Sequence, residues 1–134
     1  MATPEHPTQP REPTDPLDAI VEAAVFRALD RLPPAFADRL GSVAIVVEDE
    51  PTPAQLASVG ARGLYGLYQG VPRTAFAADT VPIPSKITIF RGPLARAHRD
   101  PDALGRAVEE TVFHEIAHHF GISDARLNEL KRRP

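Results

Sequence analysis

A motif of eleven residues near the end of the chain constrains its fold more than any other feature. Residues 114–124 read His-Glu-Ile-Ala-His-His-Phe-Gly-Ile-Ser-Asp. On an α-helix, residues four apart return to nearly the same face, so His114 and His118 can direct two imidazole nitrogens at one point. Glu115 lies one position round the helix, beside that point. The spacing therefore predicts a helix whose last turns gather two histidines and a carboxylate.

Gly121 and Asp124 complete the motif. Glycine takes a positive φ at low cost, so we expect the helix to stop at Gly121 and the chain to bring Asp124 back towards the histidines. Two histidines and one carboxylate leave a fourth position for water, as in a catalytic rather than a structural zinc site. Glu115 is then placed to act as general base. Iron or manganese would also suit these ligands, so zinc is expected from the whole motif.

With two further segments, this motif resembles the minimal-zincin family of short bacterial zinc metallopeptidases. The segments are residues 64–72, Leu-Tyr-Gly-Leu-Tyr-Gln-Gly-Val-Pro, and residues 87–94, Ile-Thr-Ile-Phe-Arg-Gly-Pro-Leu. The resemblance covers roughly residues 17 to 132. It implies a single α/β (α+β) domain, in which a small mixed sheet packs against helices that include the metal-binding helix. It also implies hydrolysis of a peptide or protein substrate, one zinc ion held by His114, His118 and Asp124, and Glu115 as the base.

The chain departs from the metzincins, which have a third histidine and a Met-turn below the metal. Here the third ligand is Asp124 and the one methionine is Met1. Because only ten residues follow Asp124, we expect a shallow site or one completed by a partner. An alternative is therefore a zincin-like module that binds metal or a partner protein with weak or no catalysis. Amide cleavage on a small molecule is a further alternative.

Length and composition exclude several classes of protein. A chain of 134 residues with 43% hydrophobic content is about one domain. It has no cysteine, so histidines and carboxylates are its strong zinc ligands. The net charge of −3 gives no reason to expect nucleic acid as a partner. We expect a soluble cytoplasmic protein without membrane contact, since no signal sequence or long apolar segment is apparent.

The first 15 residues differ from the rest. Prolines stand at positions 4, 7, 10, 13 and 16, a period of three that matches polyproline II. We expect a disordered tail over residues 1–15 and the zincin-like domain over residues 16–134. A docking tail for a partner is the alternative interpretation.

The segments before residue 64 predict two helices and one strand. A helix capped by Asp15 should end at Pro33, and residues 53–59 suggest a second, brief helix. Residues 43–47 are apolar and β-branched, which indicates a central strand buried on both faces. We expect the acidic residues 48–50 to form a solvated turn and residues 73–85 to form a loop.

Two features between residues 64 and 91 suggest substrate contacts. Tyr65 or Tyr68 can donate a hydrogen bond to an oxyanion beside the metal, although core packing or loop anchoring is the simpler role. Residues 86–91 predict an edge strand above the site, which could pair with an extended peptide or be an ordinary sheet edge. The candidate residues of that strand are Ile87, Thr88, Ile89 and Phe90.

The metal-binding helix itself should begin at Asp100 and run to about Phe120. We expect His119 to form a hydrogen bond or to pack rather than to bind metal, and His98 to lie on the surface. Ser123 can cap a last helix from Asp124 to about Arg132.

Overall fold

The computed structural model describes residues 16–41, 43–70 and 85–130, except for the side chains at positions 124, 128 and 130. These residues form a three-stranded sheet packed with helices. The helices are α1 (Pro16–Asp30), α2 (Pro34–Leu40), α3 (Pro53–Val59), α4 (Arg91–Ala97), α5 (Pro101–Phe120) and α6 (Asp124–Leu130). The strands are β1 (Ala44–Glu48), β2 (Gly66–Gln69) and β3 (Lys86–Phe90). The predicted tail over residues 1–15, with Asp15 as cap, and most of the loop predicted over residues 73–85 lie outside the described residues.

The sheet is mixed, which confirms the predicted fold class. Its strand order is β1-β3-β2. Strand β1 runs parallel to β3 and places Val46 opposite Thr88, whereas β2 runs antiparallel and places Leu67 opposite the same residue. The middle strand is therefore the last of the three in the sequence.

This order corrects two predictions. The segment expected to be the central strand, β1, is an outer strand of the described sheet, and its Val47 is 44% exposed. The segment expected at the edge, β3, is central, and its residues 87–90 are fully buried. The reason is β2, which the sequence indicates only as a tight loop or irregular strand. Because β2 pairs with β3, it covers the edge that a substrate was expected to use.

Local signals explain where α5 begins. The Asp100 carboxylate accepts a hydrogen bond of 2.9 Å from the backbone N–H of Ala103. Pro101 follows as the first helical residue, where its fixed φ suits the helix and its missing N–H costs nothing. Both features confirm the predicted start.

The end of α5 is equally well defined. Gly121 adopts φ 68° and ψ 31°, a left-handed conformation that glycine reaches without a Cβ penalty. Its N–H donates to the carbonyl of His118 at 3.1 Å, and the N–H of Ile122 donates to the carbonyl of Ala117 at 3.0 Å. This pair of bonds is a Schellman motif. It stops the helix directly after the histidines, as predicted.

Helix α5 is buried on two sides, because α1 packs against one face and strands β2 and β3 against another. Two small residues of α1, Ala24 and Ala28, are fully buried and allow the helices to approach closely. Arg27 of α1 and Arg31, which directly follows α1, both bond to Glu109 of α5, at 2.8 Å and 3.2 Å. The helix that carries the motif is thus held firmly in the core.

Helix α4 was not predicted, and it explains the acidic residues after β1. The Asp49 carboxylate accepts a bond of 2.6 Å from Arg91, and the Glu50 carboxylate accepts two bonds from Arg96. Gly92 adds a backbone bond to the carbonyl of Asp49. The acidic segment is exposed to solvent, as expected, but it also ties β1 to α4.

Helix α3 begins at a side-chain cap. The side chain of Thr52 accepts from the N–H of Gln55, and the side chain of Gln55 accepts from the N–H of Thr52, so α3 begins with a capping box. This confirms the helix predicted over residues 53–59. None of the described helices is long and apolar enough to cross a bilayer.

Candidate metal centre

Helix α5 presents two polar rows to the side where it meets β2. One row is exposed and recurs every four residues, and it consists of Glu110, His114 and His118. The other row lies beside it and is buried, and it consists of Thr111, Glu115 and His119. The helical period of 3.6 residues produces both rows. It therefore leaves the two motif histidines accessible while placing the motif carboxylate inside.

The three motif residues lie together. The ring centroids of His114 and His118 are 4.6 Å apart. One oxygen of the Glu115 carboxylate lies 3.4 Å from Nδ1 of His118, and the other lies 4.0 Å from Nε2 of His114. One nitrogen or oxygen from each of the three side chains falls within 4.8 Å of the other two. The sequence spacing thus produces the expected cluster.

This donor set fits zinc. Zinc binds imidazole nitrogens at about 2.0–2.1 Å and carboxylate oxygens at about 2.0–2.2 Å, so two ligands of one ion lie at most about 4 Å apart. The side chains of His114 and His118 are 48% and 54% exposed, which leaves their rings room to rotate inwards. The two imidazoles are the kind of ligand that zinc prefers, and the Glu115 carboxylate lies beside them.

Strand β2 packs directly over the buried row. A Cβ atom on Gly66 would lie 2.6 Å from Cγ2 of Thr111 and 3.3 Å from Cγ of Glu115. Only glycine fits so close to the helix. The Thr111 side chain has little freedom to move, because its hydroxyl donates to the carbonyl of Ala107 at 2.8 Å. Gly66 therefore sets the distance between the strand and the motif carboxylate.

A second contact joins β2 to α5 one turn further along. The Tyr68 hydroxyl lies 3.1 Å from Nδ1 of His119 and 3.2 Å from the hydroxyl of Ser85. The rings of Tyr68 and His119 also meet edge to face, with centroids 5.6 Å apart. His119 is 1% exposed, so the expectation that it bonds or packs is confirmed. Tyr68 is therefore anchored against α5, and anchoring was the simpler of the two roles predicted for it.

Tyr65 differs from Tyr68 because it is 42% exposed. Its ring meets that of His98 edge to face, with centroids 5.7 Å apart. Nδ1 of His98 lies 3.1 Å from the carbonyl of Leu94, and since a carbonyl only accepts, this nitrogen carries the proton. His98 was expected on the surface, but it is half-buried and supports Tyr65.

The predicted third ligand, Asp124, is the first residue of α6. Its side chain lies outside the described residues. The Ser123 hydroxyl accepts a 3.0 Å bond from the N–H of Arg126, which confirms the predicted cap. Helix α6 packs against α5, and its Leu127 is 1% exposed. The backbone of Asp124 is thus fixed between the Gly121 turn and a packed helix, while its role as ligand stays a prediction.

A cleft of about 590 Å³ lies between α5 and the segment that leads into β2. The three motif residues, Tyr65 and Tyr68 all line it. A volume of this size is usual for a site that binds a small ligand or a short peptide segment.

The predicted substrate strand does not reach the cleft. Residues 87–90 of β3 are absent from its lining and fully buried, so the prediction that Ile87, Thr88, Ile89 and Phe90 bind substrate is wrong. Strand β2 lines the cleft in their place. Sequence reasoning missed Gly66 and Thr111, although a glycine between two tyrosines was a usable sign of close backbone approach.

Comparison with known families agrees with this geometry. The family model described as zincin-like metallopeptidase matches residues 40–133, which is more than half of the chain and includes the whole motif. A comparison with curated proteins found no match.

Proposed function

Since this chain belongs to the zincin-like metallopeptidase family, we propose that it hydrolyses peptide bonds in the cleft between α5 and β2. One observation carries the proposal. Glu115 is 5% exposed, yet its two carboxylate oxygens face two half-exposed histidines at 3.4 Å and 4.0 Å. A buried carboxylate beside two metal-binding side chains, at the wall of an open cleft, is the arrangement that metal-assisted hydrolysis needs.

His114 and His118 would hold a zinc ion, with Asp124 as the third ligand. When bound in such a site, zinc lowers the pKa of a coordinated water to about 7 and polarises the carbonyl to be attacked. The Gly121 turn and the α6 cap would fix the direction from which Asp124 approaches.

Glu115 would accept the proton of the attacking water and pass it to the leaving amine nitrogen. Its surroundings suit this role. Gly66 of β2 packs against Cγ of Glu115. This contact holds the Glu115 side chain beside the histidines. A fixed base close to the reacting water contributes typically 10²- to 10⁴-fold to the rate.

Strand β2 would bind the substrate backbone. Among the described strands, only β3 pairs with β2, so the second edge of β2 can pair with an extended peptide. Tyr65 directly precedes this strand, lines the cleft and is partly exposed. Its hydroxyl is therefore better placed than that of the anchored Tyr68 to donate a hydrogen bond to the developing oxyanion.

The test is cleavage of a mixture of quenched fluorescent peptides by the full chain loaded with zinc, compared with Glu115→Gln. We expect slow but measurable cleavage by the wild type and a loss of at least about 10²-fold in the variant. Glu115→Gln keeps the shape and removes the base. If the wild type cleaves no peptide although it holds zinc, the protein is instead a metal-binding module.

A further inference from the structure

Two neighbouring glutamates of α5 have opposite surroundings. Glu109 faces α1 and is bound by Arg27 and Arg31. Glu110 faces the other way, is exposed, and lines the cleft one turn before His114. No described residue forms a hydrogen bond or an ion pair with the Glu110 carboxylate. The cleft thus contains a carboxylate that no arginine or lysine of the described chain contacts.

The direction of β2 shows which part of the cleft Glu110 faces. Gly66 lies against Thr111 and Glu115, and Tyr68 bonds to His119. Strand and helix therefore run in the same direction at this contact. The residues before Gly66 must lie towards the start of α5, which is the end of the cleft where Glu110 is found.

That end of the cleft has apolar walls. Val59 is 49% exposed and Tyr65 is 42% exposed, and both line the cleft together with Leu64 and Ala107. A long aliphatic chain can pack along such walls while its charged end reaches a carboxylate. The combination of an apolar channel and one unpaired carboxylate matches the side chain of lysine or arginine.

We propose that Glu110 makes this enzyme selective for substrates with a lysine or arginine side chain at one fixed position near the cleaved bond. The inference rests on the proposed peptidase function. Because the carboxylate is exposed to water, the ion pair would be of moderate strength. We expect a preference of about fivefold to tenfold in kcat/KM for lysine over an uncharged side chain of the same length.

The experiment uses peptides that are acetylated and amidated, so that no free α-amino group is present. Lysine, norleucine and glutamate are placed in turn at each position around the cleaved bond. Lysine and norleucine have the same linear stem and differ in the terminal ammonium group. The full chain, Glu110→Gln and Glu110→Lys are compared, with Glu22→Gln as the matched control. Glu22 is an exposed glutamate of α1 that lines a different groove.

The wild type and Glu22→Gln should prefer lysine at one position. In Glu110→Gln this preference should disappear, because KM for the lysine peptide should rise to that for the norleucine peptide. Glu110→Lys should prefer glutamate at that position. An undiminished lysine preference in Glu110→Gln would overturn the inference.

A binding measurement separates this inference from the peptidase function itself. The same peptides, labelled with a fluorophore, are bound to Glu115→Gln and to Glu115→Gln/Glu110→Gln. Tighter binding of the lysine peptide to the first protein alone would support the role of Glu110 even if the wild type cleaves nothing. Equal binding of the lysine and norleucine peptides to both proteins would refute it.

Discussion

The two outer strands of the described sheet, β1 and β2, flank the same central strand but have different neighbours. Beside β1, Asp18 and Asp49 are both bound to Arg91. Beside β2, Glu115 faces two histidines. Opposite charges that neutralise each other stabilise a fold, whereas imidazoles gathered at a carboxylate form a site for a cation. One side of the sheet therefore carries ion pairs that join its elements, and the other carries the candidate metal site.

Apolar exposure does not distinguish the two sides. A groove of about 440 Å³ beside β1 contains Phe26 and Val47, which are 63% and 44% exposed. The cleft beside β2 contains Val59 and Tyr65, which are 49% and 42% exposed. Cavity size and apolar surface would thus mark both as binding sites. The polar side chains decide which one supports catalysis.

The largest effect on stability and activity is expected at Gly66, where β2 packs against α5. Gly66→Ala would place a methyl group 2.6 Å from Cγ2 of Thr111 and push β2 away from Glu115. We expect a loss of about 1–3 kcal/mol in the free energy of unfolding, together with most of the peptidase activity. Urea unfolding and cleavage of the best peptide measure the two effects.

A second substitution tests the cause. Thr111→Ser removes the methyl group that the new Cβ would meet but keeps the hydroxyl that donates to Ala107. In Gly66→Ala/Thr111→Ser, part of the lost stability and activity should return. If the double variant is as impaired as Gly66→Ala, the contact with Thr111 is not what makes glycine necessary.

On the β1 side, stability should fall without loss of activity. Arg91→Met removes the ion pairs with Asp18 and Asp49 from a side chain that is 12% exposed. We expect a cost of about 1–2 kcal/mol in the free energy of unfolding, with kcat/KM unchanged. Arg96→Met is the matched control, because this arginine is 64% exposed and should cost less. A large loss of kcat in the folded Arg91→Met protein would contradict the division between the two sides.

The hydrogen bond between Tyr68 and His119 should have a smaller effect. Tyr68→Phe removes the hydroxyl and keeps the ring contact, so we expect a cost of about 0.5–1.5 kcal/mol. Because this bond positions β2, KM should rise more than kcat falls. A steep loss of kcat alone would instead indicate that the Tyr68 hydroxyl stabilises the transition state.

The smallest effect concerns acid sensitivity on the β1 side. The hydrogen bond from Arg96 lowers the pKa of the exposed Glu50 carboxyl from its usual value. A lowered pKa in the folded state means that the pair stabilises the protein above the unfolded pKa and that this contribution is lost as the pH falls through the folded pKa. Melting curves from pH 7 to pH 3 should show wild type slightly more stable than Glu50→Gln at neutral pH, with the difference vanishing in acid. A difference that grows in acid would reverse this assignment.

The sequence predicted the helical part of the site well, because its signals are local. Asp100 caps α5, Gly121 ends it, and Ser123 caps α6, each through residues a few positions away. The spacing of His114 and His118 then follows from helix geometry alone. These features depend on no other part of the chain.

The sheet was harder to predict, because strand order depends on distant residues. The apolar run of β1 resembles a central strand, but whether a strand is central depends on what pairs with it. The necessity of Gly66 is visible only when Thr111 is placed opposite it. Helix α4 was missed because Gly92 and Pro93 suggest a turn. Its arginines bind acidic residues at the end of β1, which is a contact between separate segments of the chain.

The most direct test is the zinc content of the purified full chain and three variants, measured by elemental analysis. We expect about one zinc per chain in the wild type and in Glu115→Gln, and little or none in His118→Ala and Asp124→Ala. That result would identify Asp124 as the third ligand and would show that the metal does not depend on the Glu115 carboxylate. Loss of zinc from Glu115→Gln, with retention in Asp124→Ala, would contradict the account, because the buried carboxylate would then be a ligand rather than a base.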